Sequence, residues 1–208
     1  MRRKRGARET AGDVSEMTDG SDRPAGGGGV RLLKSVALVG MMGSGKTAIG
    51  RALAARLGVP FLDSDAEIEA AADRSIAEIF ERDGEDFFRN REAEVISRLL
   101  RGAPAILSTG GGAFMQPRNR DEISRAGLSL WLDVPLETLW ERVRHKDTRP
   151  LLRTEDPRAT LAGLYESRVP VYRLADLTVP VRPGYTIEET TTRAIAEMRR
   201  RADILETY

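Results

Sequence analysis

The chain has 208 residues, enough for one globular domain with a substantial core and with no need of a second catalytic domain. Lys and Arg number 33 against 32 Asp and Glu, a formal charge of +1, so the overall balance gives no reason to expect polyanion binding and any anion site must be local. There is no cysteine and one histidine, His145, which excludes disulfides, zinc-thiolate centres and multi-histidine metal sites and fits a cytoplasmic protein.

No window approaches the roughly 18 apolar residues of a membrane span. The opening stretch, residues 1–32, is rich in Gly, Arg, Asp and Ser and poor in large apolar side chains. It is expected to be a disordered tail, because it cannot offset the entropy of ordering. Its basic start, Met1-Arg2-Arg3-Lys4-Arg5, precedes no apolar segment and carries nearby acids, which argues against a secretory or organellar leader. It reads as a solvated leader, and Met17 offers an alternative start.

From Lys34 onward, short apolar runs alternate with helical periodicity, the pattern of an α/β domain with a parallel sheet. "SVALVG" (35–40) predicts a buried strand, and a helix follows in which Ile49, Leu53 and Leu57 recur before Gly58 stops it. Further strands are expected at 59–65, 105–112 and 128–134, with a weaker one at 177–181 because of Pro180. Helices are expected at 66–72, 75–83, 85–101, 118–126, 135–145, 157–174 and 186–204. Right-handed crossovers then place the loops after the strands along one carboxyl edge, where such sheets bind ligands.

Gly40-Met41-Met42-Gly43-Ser44-Gly45-Lys46-Thr47 matches G-x-x-x-x-G-K-[ST] in full, between a predicted strand and a predicted helix. Random chains of this length would show it on the order of once in a hundred. Gly43, Ser44, Gly45, Lys46, Thr47 and Ala48 are therefore expected to cradle a nucleoside triphosphate. Lys46 reaches the β- and γ-phosphates in that chemistry, and Thr47 ligates Mg²⁺. A guanine-reading Asn-Lys-x-Asp segment is missing, and the third strand ends in Ser108-Thr109 instead of a carboxylate, so another acid must complete the magnesium shell. Asp63 and Asp65, at the same sheet edge, are the candidates: one for metal, the other for an acceptor hydroxyl. Either also suits a helix N-cap.

The segments GMMGSGKT, FLDSD, SIAEIFERDGEDFFRNRE, STGGGAF, TRPLL and ESRVPVYRLAD occur in the order seen in shikimate kinases, so residues 35–200 resemble that family. The resemblance implies a three-layer P-loop kinase fold, a five-stranded parallel sheet flanked by helices, over residues 33–208, with a lid at about 146–158. It implies transfer of the ATP γ-phosphoryl group to the 3-hydroxyl of shikimate, with Lys46, Asp65 and Arg149 catalytic. Thr47 and Asp63 would hold Mg²⁺. Asp65, Phe88, Arg89, Gly110, Gly111, Gly112 and Arg168 would bind shikimate, with Glu92 orienting Arg89, and Arg142 and Arg149 would contact ATP. Arg144 is near enough to leave the adenine contact open, and Arg182 and Pro183 are further candidates there.

Read without the family, Arg89 and Glu92 also suit a helix-surface ion pair, the glycines a turn, and "KDTRPLL" an interhelical loop. His145 is expected at an exposed helix end, with Trp131 and Trp140 in the core. A monomer acting on a small molecule, with neither nucleic acid nor membrane as partner, is the expectation. The competing readings are another small-metabolite kinase, such as a gluconate or nucleoside monophosphate kinase, and a non-catalytic ATP-binding regulator.

Overall fold

The computed structural model describes residues 29–145 and 150–208. Five parallel strands form the central sheet: β2 (Ser35–Val39), β3 (Phe61–Asp63), β4 (Ile106–Ser108), β5 (Gly127–Asp133) and β6 (Leu177–Pro180), in the spatial order β3-β4-β2-β5-β6. β2 lies at the centre and every one of its residues is buried, which is why it reads as an unbroken apolar run. Pro180 closes the edge strand β6, where its missing N–H costs no ladder bond.

The chain leaves β2 toward one edge of the sheet and leaves β4 toward the other, so a crevice opens at the carboxyl ends of these neighbouring strands. Helix α1 (Lys46–Leu57) runs from that crevice and buries Ile49, Leu53, Ala54 and Leu57. It stops at Gly58, whose left-handed backbone donates its N–H to Ala54 O.

Helix α2 (Ser64–Ala72) packs on α3 (Ile76–Leu100). A capping box between Ser75 and Glu78 starts α3. The expected break at Gly84 is a kink inside one long element, since Gly84 takes φ 82°, ψ 174° while helix continues on both sides. Together α2 and α3 enclose a small apolar cluster of Ile68, Ile79, Phe88 and Val95, distinct from the main core around the sheet.

Helices α4 (Pro117–Ala126), α5 (Leu136–Val143), α6 (Pro157–Tyr172) and α7 (Ile187–Met198) complete the layers. Trp131 is buried and Trp140 packs against the main core, while His145 is exposed just after α5.

Strands β3 and β4 are shorter than the expected 59–65 and 105–112, and two further differences change an element. Val30–Leu32, read from sequence as the end of the polar tail, is strand β1, and it pairs antiparallel with β7 (Leu205–Thr207). Helix α7 correspondingly ends at Met198 instead of reaching 204. The reason is long-range: Leu32, Ile204 and Leu205 bury themselves against the main core only when the two segments meet. The rest of the expected tail, residues 1–28, lies outside the described residues.

Candidate active site

The loop between β2 and α1 winds through positive φ at Gly40 (140°), Gly43 (78°) and Gly45 (96°), conformations that a side chain would strain. It borders a cleft of about 510 Å³. Lys46 folds across the loop and donates to Gly40 O at 2.9 Å and Met41 O at 3.1 Å. The ammonium is thus held at the mouth of a ring of backbone amides that begins a helix, an arrangement suited to phosphate oxygens. The Ser44 hydroxyl is buried there without a hydrogen-bond partner.

Thr47 Oγ1 donates a long 3.4 Å bond to Asp63 Oδ2, while Asp63 Oδ1 accepts from the Asp65 N–H at 3.1 Å as the N-cap of α2. Capping and site duty therefore coexist in Asp63, one oxygen for each. In the parallel register Asp63 lies opposite Ser108, so the carboxylate absent from the end of β4 is supplied by the next strand. Thr47 and Asp63 bring two hard oxygen donors to the end of the loop. That suits Mg²⁺, which takes one or two protein ligands and completes its octahedron with water and phosphate oxygens. Among the described residues no group of three or more His, Cys, Asp or Glu could hold a metal alone.

Beyond the loop the cleft is lined by Asp65, Gly110 and Gly111. Asp65 Oδ1 and Glu92 Oε1 are both buried without a partner. A β-carbon on Gly110 would stand 2.8 Å from the first and 3.2 Å from the second, so the glycine leaves the space that both carboxylates face. Burial first, then the charge on Asp63, pushes the Asp65 carboxyl above the ordinary range, with Lys46 and Arg89 opposing. Glu92 is raised by burial as well, against the pull of Arg89.

Arg89 is the cation of this half. Its Nη1 donates to Glu92 Oε2 at 2.9 Å, and its Nε and Nη2 reach Glu85 Oε1 at 3.2 and 3.1 Å. Two acids thus orient one guanidinium, whose planar fork matches a carboxylate. A β-carbon on Gly112 would approach it to 2.7 Å. Phe88 is buried in the α2–α3 cluster with its ring centroid 4.6 Å from that of Phe80, and Arg89 Cζ lies 5.1 Å from it. Phe88 therefore packs beneath Arg89, and the cleft lining takes in Asp65, Gly110 and Gly111 of this half but not Phe88, Arg89, Glu92, Gly112 or Arg168, which stand behind it.

Arg168, on α6, brings Nη1 to 3.5 Å from the β-carbon position of Gly111. Arg142 lines the cleft and donates to Gly43 O at 3.3 Å, whereas Arg144 points to Glu141 on the surface, so Arg142 is the arginine of this pair beside the glycine loop. That end of the cleft is bordered by Val181, Tyr185 and Ile187, not by Arg182 or Pro183. Arg149 lies outside the described residues.

Two supporting residues escaped the sequence reading. Arg118 donates to the Arg89 carbonyl and, at 2.9 Å, to Asn90 Oδ1, which anchors α3 to the start of α4. Tyr172 donates to Gly111 O at 2.6 Å. The only signal for Tyr172 was its place one helical turn after Arg168 in "ESRVPVY".

The family profile described as shikimate kinase matches residues 42–199. A shikimate kinase of Ruegeria pomeroyi is 61% identical over 93% of this chain and 99% of its own length, and one of Cereibacter sphaeroides 59% identical over 85% and 88%. Among solved structures, a shikimate kinase from Acinetobacter baumannii in complex with shikimate superposes with a TM-score of 0.74 at 38% identity, covering 81% of this chain and 93% of that one. A gluconokinase from Sinorhizobium meliloti, at 19% identity and a TM-score of 0.56 over 82% of this chain and 94% of its own, shares the fold alone.

Proposed function

The chain belongs to the shikimate kinase family and phosphorylates the 3-hydroxyl of shikimate with ATP, and from that premise we propose how its own residues divide the work. The observation that carries the division is the buried, unpartnered Asp65 Oδ1, which faces the cleft between the phosphate loop on one side and Arg89 and Glu92 on the other.

Gly43, Ser44, Gly45, Thr47 and Ala48 hold the phosphates through the loop and the start of α1, and Lys46 neutralises charge as the γ-phosphoryl group transfers. Arg142 packs on the nucleotide side. Arg149 folds in with the lid, about 146–158, and excludes water from the transferring group. Thr47 and Asp63 would hold Mg²⁺, which would supply charge neutralisation for the phosphates when bound.

On the acceptor side, Arg89 and Arg168 take the carboxylate of shikimate, and Gly110, Gly111 and Gly112 admit its ring closely. Asp65 accepts a hydrogen bond from the 3-hydroxyl and takes its proton as the oxygen attacks. Its raised affinity for protons suits that task better than an ordinary carboxylate's. Phe88 acts indirectly, by backing Arg89. The near balance of 33 basic and 32 acidic side chains gives no overall attraction to a nucleic acid, and no described helix is long and apolar enough to cross a membrane.

A coupled ADP-release assay offering shikimate, gluconate and AMP in parallel tests the reading, with turnover expected on shikimate. Activity confined to the other two would overturn it. Asp65→Asn should lower kcat by about a hundredfold or more with shikimate, the usual worth of a positioned base. Near-wild-type turnover would remove Asp65 from the chemistry.

A further inference from the structure

Three consecutive glycines have the greatest backbone freedom of any such run, so Gly110–Gly112 cannot hold its shape unaided. Two of its carbonyls are tied within the segment: Gly110 O accepts from Ala113 N and Gly112 O from Met115 N, each at 3.1 Å. The third is tied elsewhere. Gly111 O accepts the 2.6 Å bond from Tyr172 Oη, so the middle of the run is coupled to the end of α6.

That coupling joins the two halves of the cleft. Arg168 Nη1 lies 3.5 Å from the β-carbon position of Gly111, and the Met42 N–H of the phosphate loop lies 3.6 Å from the same point. Arg168 and Tyr172 share one face of α6, four residues apart. The Tyr172 ring is wholly buried and lies 6.2 Å from Trp131, inclined by 21°. Trp131 in turn sits 3.5 Å from the β-carbon position of Gly40 in the phosphate loop. Packing alone would need only the ring. The hydroxyl supplies a polar link to Gly111 and also meets the Arg168 guanidinium; burial pushes its pKa up to about 12, the charge and hydrogen bond of Arg168 only partly opposing.

We infer that Tyr172 is a positioning residue for the acceptor: by holding the Gly111 carbonyl beside Arg168, it sets the spacing between the carboxylate-gripping arginine and the phosphate loop. This rests on the role given above to Arg168. It goes beyond that role in assigning the register of the glycine run, and with it the fit of shikimate, to a residue that never touches the substrate.

The test compares Tyr172→Phe, Arg168→Ala and the double variant in the full chain. Tyr172→Phe keeps the ring and its stacking, so it should fold with a thermal midpoint close to wild type. Its KM for shikimate should rise about five- to tenfold, the loss expected from one buried hydrogen bond. Its kcat and its KM for ATP should stay within about twofold, the mark of lost uniform binding of one substrate. Arg168→Ala should raise the shikimate KM further, and adding Tyr172→Phe to it should cost little more, because the tyrosine acts through the arginine. A Tyr172→Phe variant with lower kcat and unchanged shikimate KM would make the residue merely structural and overturn the inference. So would fully multiplicative effects in the double variant. If Arg168→Ala leaves the shikimate KM unchanged, the reading of Arg168 itself fails, a result distinct from the failure of Tyr172→Phe alone.

Discussion

The donor and acceptor halves of the cleft solve opposite problems. The phosphate loop is largely closed on itself, although its buried Ser44 hydroxyl is unmet: Lys46 is bonded to two carbonyls of its own loop, and Asp63 spends one oxygen capping α2 and the other on Thr47. The acceptor half keeps polar atoms unmet, with Asp65 Oδ1 and Glu92 Oε1 buried and unpartnered around the space left by Gly110. It also rests on its own small apolar cluster and on a helix kinked at Gly84. A phosphate chain is recognised by backbone that one short segment provides. A hydroxylated acid needs side chains from α2, α3, α6 and the glycine run, and the unmet groups there are the ones a substrate hydroxyl would satisfy, at a standing cost to stability.

The largest expected effect lies in the donor half. Lys46→Met should reduce kcat by about a thousandfold, since it removes a fixed charge from the transferring group, while ATP still binds through the backbone cradle. Steady-state turnover together with nucleotide titration checks this; a tenfold loss or less would mean that the closed loop carries the charge stabilisation without its lysine.

In the acceptor half, Gly112→Ala places a methyl group 2.7 Å from Arg89 Nη2 at a position whose φ of −91° any residue adopts. Backbone strain is therefore not at issue, and the displaced guanidinium should raise the shikimate KM by about ten- to a hundredfold with the ATP KM unaltered. Parallel titration of the two substrates distinguishes this from general damage, which would move both.

Glu92→Gln separates the stability cost from the function. Burial raises the Glu92 carboxyl above the ordinary range, Arg89 partly offsetting this and Asp65 adding to it. A raised folded-state pKa means that the folded chain binds the proton more tightly than the unfolded chain. The contribution to stability is then present at low pH and lost as pH rises through the folded-state value. Glu92→Gln should consequently raise the thermal midpoint at alkaline pH, with the gain shrinking as pH falls, while the shikimate KM rises severalfold. A pH-independent difference would show that the buried carboxylate is not the source of the cost.

The smallest effect on turnover belongs to the β1–β7 ribbon, remote from both halves. Leu32 is 4% exposed, and Leu32→Ala should cost about 2–3 kcal/mol of stability in denaturant titration with kcat and both KM values unchanged. Any shift in substrate KM would tie the ribbon to the cleft.

Legibility followed the same division as the chemistry. The central strand, the glycine loop, the first turn of α1 and the stop at Gly58 were readable because their determinants lie within a few residues of one another. Asp63 was readable as both cap and site residue, and the structure assigns one of its oxygens to each. Arg142 was hard to separate from Arg144 in sequence, since one lies in the last turn of α5 and the other follows it directly; only the approach of α5 to Gly43 distinguishes them. Phe88 sat in a motif that suggested substrate contact, but packing between α2 and α3 buries it under Arg89.

By itself the sequence determined the order of elements, the triphosphate cradle and, through several motifs in register, the family and its acceptor, because these depend on local backbone preferences and on residue types at short spacing. Tertiary structure alone decided that Val30–Leu32 is a strand, that Asp63 lies directly opposite Ser108, and that Tyr172 holds Gly111. Each of those contacts joins segments between about 45 and 175 residues apart, and a pairing over that distance leaves no periodic trace in either partner until the chain has closed around its core.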